Sequence, residues 1–168
     1  MGEPQCGHAS FDARIKACLN GDGAGPEGPI FSYQGAISIR QPFMWLETTP
    51  LPPPGGDALV RYQITREEWE KEHEKRLAKC ERDLRSSLSG SYHVTISRTG
   101  LDHYSFTDWR MLEATDKGDF EKGVSALEPL EEYVMAFFDK YLKSDQHTIL
   151  EEQRAGAGIS VQKYRGVR

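Results

Sequence analysis

The sequence lacks the long apolar run that a membrane-spanning helix needs. No stretch approaches the ~20 apolar residues that cross a bilayer, so we expect no transmembrane segment. The first residues show no basic segment followed by an apolar one, so they predict no signal peptide. With no targeting signal to name a compartment, the cytoplasm is the default expectation.

Basic charge is also scarce. The chain has 21 Lys and Arg against 26 Asp and Glu, which gives a net charge of −5. Proteins that bind nucleic-acid phosphates present a basic stripe, so nucleic acid is not an expected partner. With 168 residues, 38% of them hydrophobic and 28% charged, the composition is typical of one soluble globular domain.

Cysteines and metal-ligand patterns are few. The three cysteines, Cys6, Cys18 and Cys80, stand far apart and predict neither a disulfide framework nor a zinc site. Cys18 lies in an apolar stretch and is interpreted as a small core residue. The histidines without partners at metal-ligand spacing are His8, His73, His93 and His147. We therefore expect no metal and no cofactor.

Three short stretches predict strands: Ile15–Leu19 and Pro42–Leu46 are apolar runs, and Tyr92–Ser97 alternates apolar and polar residues. Continuous apolar runs are typical of strands covered on both faces of a parallel sheet. Long segments separate the three stretches, as crossovers between parallel strands require. The sequence therefore predicts an α/β domain of about three parallel strands with flanking helices. Three strands make a thin sheet for a complete domain of this class.

The strongest helical signal lies in residues 65–88. Thr65 and Glu68 form a capping box at its start. Its narrow apolar stripe favours a solvated helix with one face on the domain over a coiled-coil interaction helix. Pro129 suits the first turn of a later helix that runs to about Lys143. The predicted organisation is a partial domain at 1–143 with a helical insertion at about 50–88, then a C-terminal tail at 144–168 with a weak strand-like stretch.

A carboxylate and a histidine follow two of the predicted strands. His103 lies in the loop after the third strand, where an imidazole can accept and return a proton near neutral pH. Asp22 lies in the loop after the first strand. An acid followed by a histidine is the order of the last two members of a Ser…Asp…His triad. Glu47, at the end of the second strand, is the alternative acid.

The serine that would complete such a triad is missing. A nucleophile elbow has the pattern G-x-S-x-G between a strand and a helix, ahead of the acid. Ser10 lacks the second glycine, and residues 11–14 are too few for a crossover of about 10–12 residues. Ser125, in an imperfect match, comes after the histidine and is interpreted as a helix-start serine.

The motifs around these residues carry a family resemblance. Segments 14–23, 39–47 and 100–108 resemble the C-terminal half of α/β-hydrolases, most nearly the platelet-activating factor acetylhydrolase type and its bacterial esterase relatives. The resemblance implies that Asp22 is the triad acid. It also implies that His103 is the triad base, in an H-x-x-F-x-D loop completed by Phe106 and Asp108.

The resemblance covers about residues 11–143. It implies a parent enzyme that hydrolyses carboxylic esters, such as short acyl groups on phospholipids, without a metal. The family's elbow and all earlier strands have no counterpart in the sequence, so it implies a partial hydrolase that is inactive or nearly so alone. The competing interpretation is a non-catalytic binding or assembly protein that self-associates through an exposed sheet edge and the charged helix at 65–88.

Overall fold

The computed structural model describes residues 12–21, 40–48, 55–85, 87–97, 101, 103–107, 109–145, 148–151 and 158–166. Four strands in this part of the chain form one sheet, in the order β1-β2-β3-β4. Their bounds are β1 Cys18–Gly21, β2 Phe43–Thr48, β3 Ser91–Ile96 and β4 Ile159–Tyr164. The first three strands run parallel, and β4 pairs antiparallel with β3. The α/β class and its three parallel strands are confirmed, and β4 adds a fourth strand from the weak strand-like stretch.

β1 begins later than its apolar pattern predicts. The chain first makes a turn, in which the Asp12 side chain accepts a hydrogen bond from the backbone N–H of Arg14 at 2.9 Å. Sheet pairing starts at Cys18, whose N–H donates to the Pro42 carbonyl at 2.9 Å. Pro42, predicted to be the first residue of the second strand, lies just before β2 because proline has no N–H for the ladder.

The described residues form four α-helices and one 3₁₀ turn. They are α1 Gly56–Tyr62, α2 Arg66–Arg85, the 3₁₀ turn His103–Phe106, α3 Trp109–Leu112 and α4 Lys117–Leu142. The predicted capping box is confirmed at the start of α2. The N–H of Glu68 donates to Thr65 Oγ1 at 3.1 Å, and the N–H of Thr65 donates to Glu68 Oε2 at 2.7 Å.

α4 begins at Lys117, well before the predicted start at Pro129. Its N-cap is Asp116, whose side chain accepts the N–H of Asp119 at 2.9 Å. Pro129 therefore lies inside the helix, and the prediction that it opens the helix is wrong. Ser125 is also an interior residue of α4 and not a helix-start serine. Proline removes one hydrogen bond from a helix interior. The helix tolerates this loss at Pro129, twelve residues after its first residue, Lys117.

The core lies between α4 and one face of the sheet. Side chains alternate in direction along each strand, so every second residue faces α4. The buried core residues are Met44, Leu46, Tyr92, Val94 and Ile96 from the sheet, with Leu130, Tyr133, Phe137 and Leu150 packed against them. The opposite face carries more polar side chains. α2 reaches that face with its last turn, where Ser91 Oγ donates to the Leu84 carbonyl at 2.7 Å.

The structure bears on two expectations from the composition, which concern membrane-spanning helices and Cys18. Within the residues that the structure describes, no helix is both long and apolar enough to cross a bilayer. Cys18, interpreted as a small core residue, is instead disulfide-bonded. Disulfide formation depends on the distance between two cysteines in the folded chain, and their separation along the sequence does not give that distance.

Candidate functional site

The three parallel strands end at one edge of the sheet, where the predicted site residues follow them. Gly21 pairs in register with Leu46, and Thr48 pairs with Ile96. Loops that leave the carboxyl ends of parallel strands meet at this edge, which is where open α/β sheets bind ligands. Asp22 follows β1 directly, and His103 opens the 3₁₀ turn after β3.

The 3₁₀ turn at His103–Phe106 packs back against the end of β1. A methyl group placed on Gly21 would lie 2.9 Å from Phe106 Cδ1 and 3.2 Å from Cε1, so the ring covers the Gly21 backbone. Phe106 also packs on the hydrophobic core. Because β2 lies between β1 and β3, the loop must cross the end of β2 to make this contact. The turn that carries His103 is thus held beside the residue that precedes Asp22.

The structure describes the predicted site residues unevenly. Asp22 lies outside the described residues, and only the backbone of His103 is described. The Asp22–His103 pair therefore stays a prediction, supported by the position of the turn on β1. Glu47 is fully described, and its surroundings bear on its role as the alternative acid.

Glu47 is engaged with a histidine that the sequence pattern leaves without a partner. Its Oε1 lies 2.8 Å from Nε2 of His93, and both side chains are largely buried, at 14% and 19% exposure. Thr95 Oγ1 donates to the same carboxylate oxygen at 3.3 Å. The His93 ring stacks on Trp45, with centroids 4.2 Å apart and planes 5° from parallel. These four residues form one cluster on the sheet face opposite α4.

The geometry of this cluster is not that of a catalytic triad. In a triad the acid contacts Nδ1 of the histidine and the nucleophile contacts Nε2. Here Glu47 and the Thr95 hydroxyl both approach Nε2, the hydroxyl at 3.3 Å. Glu47 also faces away from the core side of the sheet, where Phe106 packs. Glu47 is therefore committed to His93 on that face, and the choice of Asp22 as the acid for His103 stays a prediction.

The sequence contains only an indirect signal for the Glu47–His93 contact. Parallel strands in register place residues of equal parity on one face. Trp45 pairs with His93, and Glu47 pairs with Thr95. Finding the contact requires the register between two strands that lie far apart along the chain, and the apolar pattern alone does not supply it.

A second polar cluster surrounds Glu151, at the opposite end of β3. Its carboxylate accepts hydrogen bonds from Tyr92 Oη at 2.6 Å, from Lys140 Nζ at 2.6 Å and from Lys163 Nζ at 2.7 Å. Burial opposes ionisation of Glu151, but these three donors outweigh it and lower its pKa to about 2. Burial and the bond to Glu151 raise the pKa of Tyr92, and burial raises that of Tyr141.

This second cluster connects elements and does not belong to the candidate site. Tyr92 comes from β3, Lys140 from α4 and Lys163 from β4, so one carboxylate bridges three elements. Raised tyrosine pKa values keep both phenols protonated, which makes them donors and not bases. We name Tyr92, Lys140, Glu151 and Lys163 the Glu151 clamp.

Neither metal chemistry nor known relatives add a residue to the site. In the part of the chain that the structure describes, no three His, Cys, Asp or Glu side chains gather in a group that could hold a metal ion. No protein-family model matches the sequence, and no curated protein matches it. The candidate site therefore depends on the topology and on the contact between Phe106 and Gly21.

Proposed function

We propose that this chain is the acid–base part of a serine carboxylic-ester hydrolase of the α/β-hydrolase type. Asp22 and His103 form its catalytic pair, and the serine comes from outside this chain. The observation that supports the pair most directly is the packing of Phe106 on Gly21. It places the turn with His103 beside the end of the strand that leads into Asp22.

The described hydroxyl groups near the edge support a nucleophile from elsewhere. Thr48 ends β2 and is 3% exposed, and Ser105 lies in the 3₁₀ turn and is 1% exposed. A nucleophile must reach the substrate carbonyl, and neither hydroxyl is accessible to one. Ser97 and Thr107 are exposed at this edge, but neither lies in a G-x-S-x-G sequence.

The proposed mechanism assigns one task to each member of the pair. His103 takes the proton of the serine hydroxyl as the hydroxyl attacks the ester, and then gives it to the departing alcohol. It later removes a proton from the water that attacks the acyl-serine, and returns that proton to the serine oxygen as the acid is released. Asp22 accepts a hydrogen bond from Nδ1–H of His103 and stabilises the imidazolium that forms in both steps. The resemblance to platelet-activating factor acetylhydrolase-type enzymes suggests short acyl esters of phospholipids as the substrate class.

Ester turnover by the isolated chain tests where the nucleophile is. We expect the purified chain to hydrolyse p-nitrophenyl acetate no faster than its His103→Ala variant, because the sequence holds no complete G-x-S-x-G elbow ahead of Asp22. His93→Gln, which removes an imidazole from the other sheet face, is the matched control. Turnover that is lost in His103→Ala and kept in His93→Gln would show that the chain has its own nucleophile.

A further inference from the structure

α2 is exposed to an unusual degree for a helix of its length. Its 20 residues span about 30 Å, and Leu84 is buried near its end at 1% exposure. Among the described side chains between Arg66 and Arg82, none is buried. A helix that is solvated all round gains little from packing, and the described ion pairs Lys75–Glu72 and Arg85–Glu81 are exposed and contribute little to stability.

One face of this exposed helix carries large side chains. Trp69, His73 and Leu77 follow one another at four-residue intervals, so they lie on the same side of α2. The rings of Trp69 and His73 stack with centroids 4.8 Å apart. Leu77 continues the row and is 41% exposed. We name these three residues the α2 row.

The charge of α2 changes sign at its middle. Residues 66–75 hold five Glu against one Arg and two Lys, whereas residues 76–85 hold three Arg and one Lys against one Glu and one Asp. The first half is therefore acidic and the second half basic. A parallel second copy would place like charges side by side, and an antiparallel copy places each acidic half beside a basic half.

We propose that α2 is a self-association surface on which a second copy of this chain binds in the antiparallel direction. Trp69 and Leu77 lie at equal distances along the helix from His73, so a two-fold axis at His73 brings Trp69 of each copy level with Leu77 of the other. The same axis brings the acidic residues 66–70 of each copy level with the basic residues 76–80 of the other. Such a two-fold contact is the commonest form of homodimer. Leu84, where each helix joins its sheet, then lies about 16 Å from the axis, so one sheet lies near each end of the paired helices.

The self-association is independent of the proposed ester chemistry, because α2 contributes no residue to the pair of Asp22 and His103. It also depends on the charged helix and not on an exposed sheet edge. Two matched charge reversals isolate it: Glu70→Lys with Glu74→Lys makes both halves of α2 basic, and Arg76→Glu with Lys79→Glu makes both acidic. Glu68 is left unchanged, because it belongs to the capping box.

Sedimentation equilibrium over a range of protein concentrations tests the proposal. We expect the unaltered chain to form a dimer that weakens in high salt. Each reversed variant alone is expected to dimerise with an affinity at least about tenfold lower. An equimolar mixture of the two variants is expected to recover a heterodimer, because each then meets the opposite charge. Circular dichroism of each variant verifies that the helices are retained.

An apolar substitution tests the α2 row separately. Leu77→Glu is expected to weaken the dimer, whereas Leu112→Glu, at a leucine that is 70% exposed outside α2, is expected to leave it unchanged. A chain that stays monomeric at every concentration would overturn the proposal. A dimer that ignores both charge reversals and Leu77→Glu would overturn it too, because its interface would then lie elsewhere.

Discussion

Replacing Glu151 by Gln is expected to destabilise the fold by about 2–3 kcal/mol at neutral pH. The substitution removes the charge that Lys140 and Lys163 share, and Lys140 is only 9% exposed. A buried ammonium without its counter-ion has a large desolvation penalty. The expected loss of stability is smaller than for a fully buried ion pair, because Glu151 is 32% exposed and water partly screens its charge. Urea unfolding of both proteins measures the difference.

The effect of Glu151 on stability depends on pH in a defined direction. The clamp lowers the pKa of Glu151 to about 2 from an ordinary value of 4.5, so the folded state favours the ionised form. This contribution is complete above about pH 4.5 and is lost as the pH falls from there towards about 2. We therefore expect the stability difference between the native chain and Glu151→Gln to shrink across that interval.

Glu81→Gln is the matched control for this prediction. Glu81 makes an ion pair with Arg85 at 2.6 Å on the exposed surface of α2, with both side chains at least 47% exposed. An exposed pair of this kind contributes less than about 1 kcal/mol. A loss at Glu151→Gln no larger than that at Glu81→Gln would contradict the view that the clamp holds β3, β4 and α4 together.

Gly21→Ala is expected to destabilise the chain by about 1–3 kcal/mol and to displace the 3₁₀ turn that carries His103. The new methyl group would lie 2.9 Å from Phe106 Cδ1, closer than van der Waals contact allows. Either the ring or the end of β1 must move. Urea unfolding measures the loss, and amide chemical shifts of residues 103–107 report the displacement.

A double-mutant cycle with Phe106→Leu identifies the cause. The smaller side chain relieves the clash, so Phe106→Leu is expected to cost less stability in the Gly21→Ala background than in the native chain. Gly56→Ala is the control, because nothing lies within 4 Å of a methyl group at that position and the residue begins α1. Strictly additive losses would show that Phe106 does not rest on Gly21.

The sequence predicts the parts of the fold that local chemistry determines. The Thr65 and Glu68 side chains satisfy the first N–H groups of α2 directly, so a segment of four residues suffices to place that end. A local contact also sets the start of α4, where Asp116 caps the helix. Pro129 is the more conspicuous helix-start signal in the sequence, but it lies inside the helix. β4 is harder to predict because its exposed positions, such as Ser160 and Gln162, give only a weak strand pattern.

The candidate site is less predictable, because its contacts join residues that are far apart along the chain. Glu47 and His93 meet only because β2 and β3 pair in one particular register. The contact of Phe106 with Gly21 requires the loop to cross the end of β2. Sequence patterns place His103 after a strand and Asp22 after another, and the distance between them follows from packing that no local pattern encodes.

The most direct test of the proposed catalytic pair is the tautomeric state of His103, measured by long-range ¹H–¹⁵N NMR and assigned with His103→Gln. A carboxylate that accepts a hydrogen bond from Nδ1–H of an imidazole stabilises the tautomer with its hydrogen on Nδ1. We expect His103 to carry its hydrogen on Nδ1, and to lose that preference in Asp22→Asn but keep it in Glu47→Gln. A His103 signal that is unchanged in Asp22→Asn, or that changes in Glu47→Gln instead, would contradict the assignment of Asp22 and His103 as a pair.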